Sequence, residues 1–477
     1  MGYWILLIVW LAGWTCIPHM LLLNKRPTAT LAWLWAILLI PVFGAGLYLA
    51  IGSERVKRNR RSRRKGFRAK DHLASGRKGT AQSAELLAHE QKLEPDDRAL
   101  LAGLGKITQL PLATASSLRI LRKAPAFYGA LRESIENAKM DVHVESYIWR
   151  DDEVGREFLE LLIATVKRGV AVRLLLDELG CYWLRNDYFK PLIEAGGEFS
   201  WCHTISPLRS RYSFNLRNHR KLQVIDGRIA FVGGMNFGRE YLGRNPELGD
   251  WADVQLRMEG SVVEVLRQIF AEDWFFATGK EDPSETFPAE PDPVGNSFAQ
   301  VLRGGPDEDD QPMLRADLSL IAAAKRRLWI STGYFVPGET MQTALQVAAA
   351  QGVDVRLLVS GRSEHPLLVQ AGRSYYDALL RQGVQIFEYE RGIEHSKYMV
   401  IDDLCTTIGS TNFDERSMRL NFELSVLVFN RELNEELAGI FTKTISESDP
   451  LDRETFSRRP FMRKLTESAL RPLSPIL

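Results

Sequence analysis

Two long apolar runs open the chain, Tyr3–Leu23 and Leu31–Ile51, and nothing after them has the same character. Each is long enough to cross about 30 Å of hydrocarbon as a helix. Lys25, Arg26 and Pro27 punctuate the gap, so the pattern predicts a two-helix transmembrane hairpin over residues 1–51. Trp4, Trp10, Trp14, Trp33, Trp35 and Tyr48 include rings placed for the membrane interfaces. The pattern then inverts into RVKRNRRSRRKGFRAK, with basic residues from Arg55 to Lys70. The positive-inside rule keeps that block and both termini cytoplasmic, and charge beside a span also attracts anionic lipid. A cleaved signal peptide is the competing reading of the first run, but a basic start and a small-residue cleavage site are missing.

Residues 52–111 read as a basic, then polar and helix-favouring, connector. Beyond it, two stretches share one order of elements: a strand, an amphipathic helix, a Gly-Val turn and a strand beginning Val-Arg-Leu-Leu. The first is KMDVHVESYIWRDDEVGREFLELLIATVKRGVAVRLLLDELG and the second KRRLWISTGYFVPGETMQTALQVAAAQGVDVRLLVSGRS. Phe158, Leu161, Leu162 and Val166 follow the helical period, and both second strands are short apolar runs of the buried parallel kind. A Pro-rich acidic stretch, Glu281–Asn296, separates the two. The pattern predicts an α/β chain with an internal duplication: residues 112–280, a linker over 281–297, and residues 298–477. Two unrelated βαβ units would look the same up to this point.

Composition narrows the chemistry. Lys and Arg number 61 against 60 Asp and Glu in 477 residues, so the formal charge is +1. That excludes the global basic field of a dedicated nucleic-acid binder. Cys16, Cys181, Cys202 and Cys405 lie far apart without metal spacing, as unpaired core residues of a reducing compartment do. GLGK at Gly103–Lys106 lacks the upstream Gly of a phosphate-binding loop, and HEQKL at His89 is no zinc motif.

Downstream of the repeat the first half reads NHRKLQVIDGRIAFVGGMNFGREY and the second EHSKYMVIDDLCTTIGSTNFDERS. Both contain His-x-Lys-x4-Asp followed by a Gly-rich turn and an Asn. The residues are His219, Lys221, Asp226, Gly233, Gly234 and Asn236, then His395, Lys397, Asp402, Gly409, Ser410 and Asn412. A given His meets both spacings by chance about once in a few hundred. Their recurrence at corresponding places is not accident. His and Lys two apart on a strand point to one face. Two such pairs supply two cations for a phosphodiester and two imidazoles, one to attack and one to move protons. Asn236 and Asn412 can donate to phosphate oxygens. Asp226 and Asp402 lie an odd number of positions from their His, and Asp226-Gly227 reads as a hairpin turn. They are therefore expected to hold the scaffold or a neighbouring cation. A histidine nucleophile also needs an acceptor on its other ring nitrogen, and Asp253 in DWAD and Glu423 in NFE are the candidates. Ordinary surface carboxylates are the bland alternative for both. Glu145 and Tyr147 lie on a core strand running toward the site, with packing the expected role of Tyr147. His19, His72, His89, His143, His203 and His365 have no partner spacing, although His365 follows a strand end in EHP.

These paired motifs resemble those of the phospholipase D superfamily, and within it the chain looks like the bacterial cardiolipin synthases. RPTATLAWLWAILLIP, GGPD at Gly304–Asp307, SYYDALLRQGVQIFEY, RLNFELSV and the closing RPLSPIL extend the likeness. The resemblance implies two tandem phospholipase D-like α/β/α repeats sharing one active site, preceded by the hairpin. It implies phosphatidyl transfer between two phosphatidylglycerol molecules through a phosphohistidine, with no metal or cofactor. His219, in the first motif, is the implied nucleophile, and Asp226 and Asp402 belong to the implied catalytic set. The expected partners are phosphatidylglycerol and other anionic membrane lipids, not nucleic acid. The expected location is the bacterial inner membrane, multi-pass, with the catalytic repeats cytoplasmic. A hydrolytic phospholipase D or other phosphatidyltransferase differs only in its acceptor. A nuclease has no need of an anchor, and a non-enzymatic scaffold would tolerate decayed motifs.

Overall fold

The described part of the apolar N-terminal pattern folds as short helices. The computed structural model describes residues 14–22, 27–49, 93–185, 187–203, 215–244, 249–281, 295–308, 310–403 and 405–473. Helices run over Cys16–Leu22, Pro27–Leu39 and Pro41–Leu47, of 7, 13 and 7 residues. Thirteen residues at 1.5 Å rise make about 20 Å, well short of a hydrocarbon core. The second run breaks at Ile40, whose φ of −134° and ψ of 68° leave the helical region. A residue before proline is biased that way, and Pro41 brings no N–H to continue the ladder. Among the described residues no helix is long and apolar enough to cross a membrane. The transmembrane hairpin is thereby corrected, and with it the multi-pass, membrane-embedded placement. The basic block at 55–70, the connector up to residue 92 and the linker over 282–294 lie outside the described residues.

The remainder builds two mixed sheets in which one order of strands is repeated. In the first, the central strand Asp141–Ser146 runs parallel to Ala171–Leu176 and antiparallel to Leu222–Ile225, with Val144 opposite Leu174 and His143 opposite Val224. In the second, Arg327–Thr332 runs parallel to Asp354–Ser360 and antiparallel to Tyr398–Ile401, with Ile330 opposite both Leu357 and Met399. Each sheet continues through a hairpin partner, Ile229–Gly233 or Cys405–Gly409, to a long strand, Val254–Glu259 or Asn421–Phe429. The helices Glu153–Lys167 and Gly338–Ala350 make the crossovers. The Asp152 carboxylate caps the first of these, accepting from the N–H groups of Val154 and Gly155, and so stabilises its first turn.

The halves are not separate bodies. Leu112–Ala115, from the N-terminal side, pairs with Ser297–Gly304 of the second sheet, and Arg217–Asn218 pairs with Asn421–Phe429. Val224, Val232 and Leu256 of the first sheet share one buried core with Val400, Ile408 and Val426 of the second. The helices Val262–Thr278 and Arg431–Ile445 complete that core. The other face of each sheet carries its own apolar cluster under its own helices.

Candidate active site

The two His-x-Lys segments occupy the joints where the chain passes from one half to the other. Residues 219–221 follow the short strand Arg217–Asn218 and precede Leu222–Ile225; residues 395–397 sit likewise between Gly392–Glu394 and Tyr398–Ile401. The short strands pair across the halves, Asn218 opposite Phe422 and Glu394 opposite Ala252. The backbone N–H of His219 then donates to Phe422 O at 2.9 Å, and that of His395 to Ala252 O at 2.7 Å. The next residue along each partner strand is the carboxylate. His219 Nδ1 lies 3.1 Å from Glu423 Oε2, and His395 Nδ1 lies 2.7 Å from Asp253 Oδ2. Each imidazole is therefore held by an acid from the opposite half. In sequence each acid follows the histidine of its own half, so the exchange is invisible there.

Both rings line a cavity of about 650 Å³, together with Tyr147, Asn236, Tyr241, Trp251, Tyr334 and Asn412. The lysines stay close to both rings, each ammonium acting electrostatically on both imidazoles. Each ammonium donates to the backbone carbonyl of its own histidine, Lys221 Nζ to His219 O at 2.7 Å and Lys397 Nζ to His395 O. Arg220, between His219 and Lys221, points the other way, donating to the Asp273 carboxylate, to Gly304 O and to Glu423 O. It ties the first motif to the second half.

Burial sets the charges. It lowers Lys221 to about 7 against the pull of Glu423, and Lys397 to about 8 against Asp253 and Glu394. Burial also lowers His219, opposed by Glu423, and holds His395 well below the ordinary imidazole value, with Lys397 and Lys221 adding to the effect. The two acids differ. Burial works to raise Glu423, but His219, Lys221 and Ser410 outweigh it and its carboxyl sits below the usual range. Glu423 also accepts from Ser410 Oγ at 2.5 Å and Ser417 Oγ at 2.9 Å. Asp253 is pushed up to about 8 by burial, against Lys397. Ser410 has Gly234 as its counterpart, where a Cβ would stand 2.5 Å from Asp253 Oδ1. The shorter acid fills the space that the serine hydroxyl occupies in the other half.

Asp226 and Asp402 do not reach the cavity. Asp226 lies seven positions after His219, up to about 23 Å along an extended chain. Its carboxylate accepts from the N–H groups of Lys139, Met140 and Asp141 at 2.9, 2.7 and 3.0 Å. Asp402 holds Lys325, Arg326 and Arg327 in the same way, at 3.0, 2.7 and 3.0 Å. Each pins the start of its sheet's central strand from a left-handed turn position, at φ 52° and 48°. Asn236 lines the cavity, but its Oδ1 is occupied by Ser146 Oγ and the Ile148 N–H, and its Nδ2 donates to Tyr241. Glu145 is fully buried, pushed up to about 8 by burial and by Asp273, and receives Asn218 Nδ2. His365 is in the cavity wall, as is Tyr147, whose ring meets His219 with centroids 5.1 Å apart. Sequence reasoning missed Arg217 and Arg416, both wall residues. Arg217 stands two positions before His219, and that proximity was the available signal. Among the described residues no cluster of His, Cys, Asp or Glu is arranged to hold a metal ion.

A family model described as cardiolipin synthase, phospholipase D-like domain, matches residues 131–274 and 318–445. A cardiolipin synthase of Geobacillus sp. (strain WCH70) is 37% identical over 460 residues, covering 95% of this chain and 90% of its own. One from Geobacillus kaustophilus is 35% identical over 459 residues with the same coverage. In three dimensions the chain is similar to phosphatidylserine synthase of Haemophilus influenzae Rd KW20, with a TM-score of 0.60 at 16% identity over 79% of this chain and all of that one.

Proposed function

The chain belongs to the cardiolipin synthase family with its phospholipase D-like domain and is an enzyme of phosphatidyl transfer, and from that premise we propose that it joins two phosphatidylglycerol molecules into cardiolipin and glycerol. The observation that carries this reading is the crossed pairing of two imidazoles with two carboxylates over one cavity. His219 Nε2 attacks the donor phosphorus. The bond from phosphorus to the glycerol oxygen breaks, and the leaving oxygen takes a proton from His395. The terminal hydroxyl of a second phosphatidylglycerol then gives its proton to His395 while its oxygen attacks phosphorus. The P–N bond breaks and His219 is freed. One phosphodiester is exchanged for another, so the reaction needs no external energy source.

The unequal acids support this division of roles. A phosphorylated imidazole carries positive charge, and its Nδ1–H needs a fixed anion; Glu423 is the acid kept in that form. His395 is the imidazole most readily neutral, and an arriving phosphodiester anion raises its proton affinity for the acid step. Mass spectrometry of the products from purified protein and phosphatidylglycerol alone tests the proposal. Cardiolipin and free glycerol in equal amounts are expected. Phosphatidic acid as the main product would make the protein a hydrolase.

A further inference from the structure

The cavity wall carries two cations besides those of the motifs. Lys221 and Lys397 each donate to the backbone of their own histidine, and Arg217 and Arg416 line the cavity wall. Arg217 sits on the strand that delivers His219, opposite Asn421 in register. Arg416 is fastened to the same segment, giving one N–H to Asn215 O at 2.7 Å and another to Asn215 Oδ1 at 3.2 Å. A guanidinium has five N–H groups, so three remain for another acceptor. The two arginines are close enough that Arg217 helps lower the proton affinity of Arg416, after burial itself. The carboxylates of Asp177 and Asp414 lie near these guanidiniums, Asp177 acting on both and Asp414 on Arg416, and both are also tied to backbone. Asp177 receives the N–H groups of Leu179 and Asn218, and Asp414 receives that of Ser417. A phosphate reaching this wall meets two guanidinium groups, the side chain best shaped to bind it.

Asn421, also in the wall, adds a separate feature. Its Nδ2 donates to Glu423 Oε1 at 3.3 Å, which fixes the amide's direction. Its Oδ1 is buried without a hydrogen-bond partner among the described residues. A buried carbonyl oxygen in that condition calls for a donor, and a ligand hydroxyl is one.

We propose that Arg217 and Arg416 form a second anion subsite, which binds the phosphate carried by the acceptor while Asn421 takes a hydroxyl of its glycerol. This rests on the phosphatidyl-transfer reading above and gives it a reason for selectivity. The preferred acceptor is an alcohol tethered to its own phosphate, which water and free glycerol are not. The subsite favours the second half-reaction and also retains the second phosphate of the product until release.

The test uses the full chain with phosphatidylglycerol as donor and two soluble acceptors at equal concentration, glycerol 3-phosphate and labelled glycerol. Transfer to the first gives phosphatidylglycerophosphate, and exchange with the second gives labelled phosphatidylglycerol. The wild-type protein is expected to favour glycerol 3-phosphate by about tenfold, the worth of a charge-assisted contact. In the Arg217→Gln, Arg416→Gln double variant that ratio should fall toward unity. Arg416→Lys alone should leave a reduced but measurable preference, and it answers the question if the double variant does not fold. No preference in the wild type, or an unchanged ratio in the variants, overturns the subsite. Failure to make cardiolipin while the preference stands would instead count against the parent reading, because this ratio does not depend on cardiolipin.

Discussion

At the residue scale the site consists of two imidazoles whose second nitrogens are held by unequal acids. Replacing Glu423 with Gln or Asp253 with Asn removes the fixed acceptor and should lower turnover about 10²- to 10⁴-fold. Circular dichroism should show an unchanged fold, and near-normal rates in both variants would refute the orienting role. The crossed pairing adds a finer expectation. In a His395→Asn protein a slowly decaying phosphatidyl adduct should accumulate on His219, detected by mass spectrometry of peptides from protein denatured and kept at mildly alkaline pH, and adding Glu423→Gln should abolish it. An adduct found on His395 in the reverse mutant would exchange the roles. The pH profile follows from the buried charges. His219 must be neutral to attack, so kcat/KM falls as pH drops through its lowered value, below the ordinary 6.5. His395 must carry a proton for the acid step, and its proton affinity is also lowered. Lys221 and Lys397 supply charge only below about 7 and about 8. Thus kcat/KM falls as pH rises above the imidazoles' lowered values and falls further through the lysine range. Lys397→Arg should extend the alkaline side, because a guanidinium does not titrate there. A profile flat through alkaline pH would remove the lysines from the charge balance.

At the element scale, one acid in each motif does architectural work. Asp226 and Asp402 each collect three N–H groups at the start of a central strand. Asp226→Ala should cost about 2–3 kcal/mol of stability, the worth of charge-assisted hydrogen bonds lost from a half-buried turn. The melting temperature should drop while KM for a short-chain phosphodiester stays near its original value. A collapse of turnover with no change in melting would return Asp226 to the chemistry. The odd spacing from His to Asp and the Asp-Gly pair already pointed to a turn, and the left-handed φ at 226 and 227 is the outcome. The N-terminal helices teach the opposite lesson. Their apolar content suggested a span, but length is decided by where the ladder breaks, and Ile40 with Pro41 ends it after 13 residues.

At the scale of the whole molecule, neither half can hold a complete site. Each histidine's acid, and one strand of each cross-half pair, comes from the other side. The shared core buries many Val, Leu and Ile side chains, each worth about 1.5–3 kcal/mol. A protease site placed within residues 282–294 should therefore yield a nicked protein that stays together on size exclusion and keeps most of its activity. Residues 298–477 produced alone should be inactive. Separation of the nicked halves in mild buffer would contradict the shared core.

The sequence by itself determined the local matters. Helical and strand periods marked the repeated strand–helix–strand units, because side-chain direction follows backbone geometry over a few residues. The paired His-x-Lys-x4-Asp motifs named the imidazoles, because their spacing is too specific for chance. Only the tertiary structure decided which acid serves which histidine, and that Arg217 and Arg416 face the cavity. Those relations depend on strands that pair across some 200 residues of chain, as His219 and Glu423 do. No local pattern encodes them: they arise when two sheets bury a common core and bring the joints of both halves to the same place.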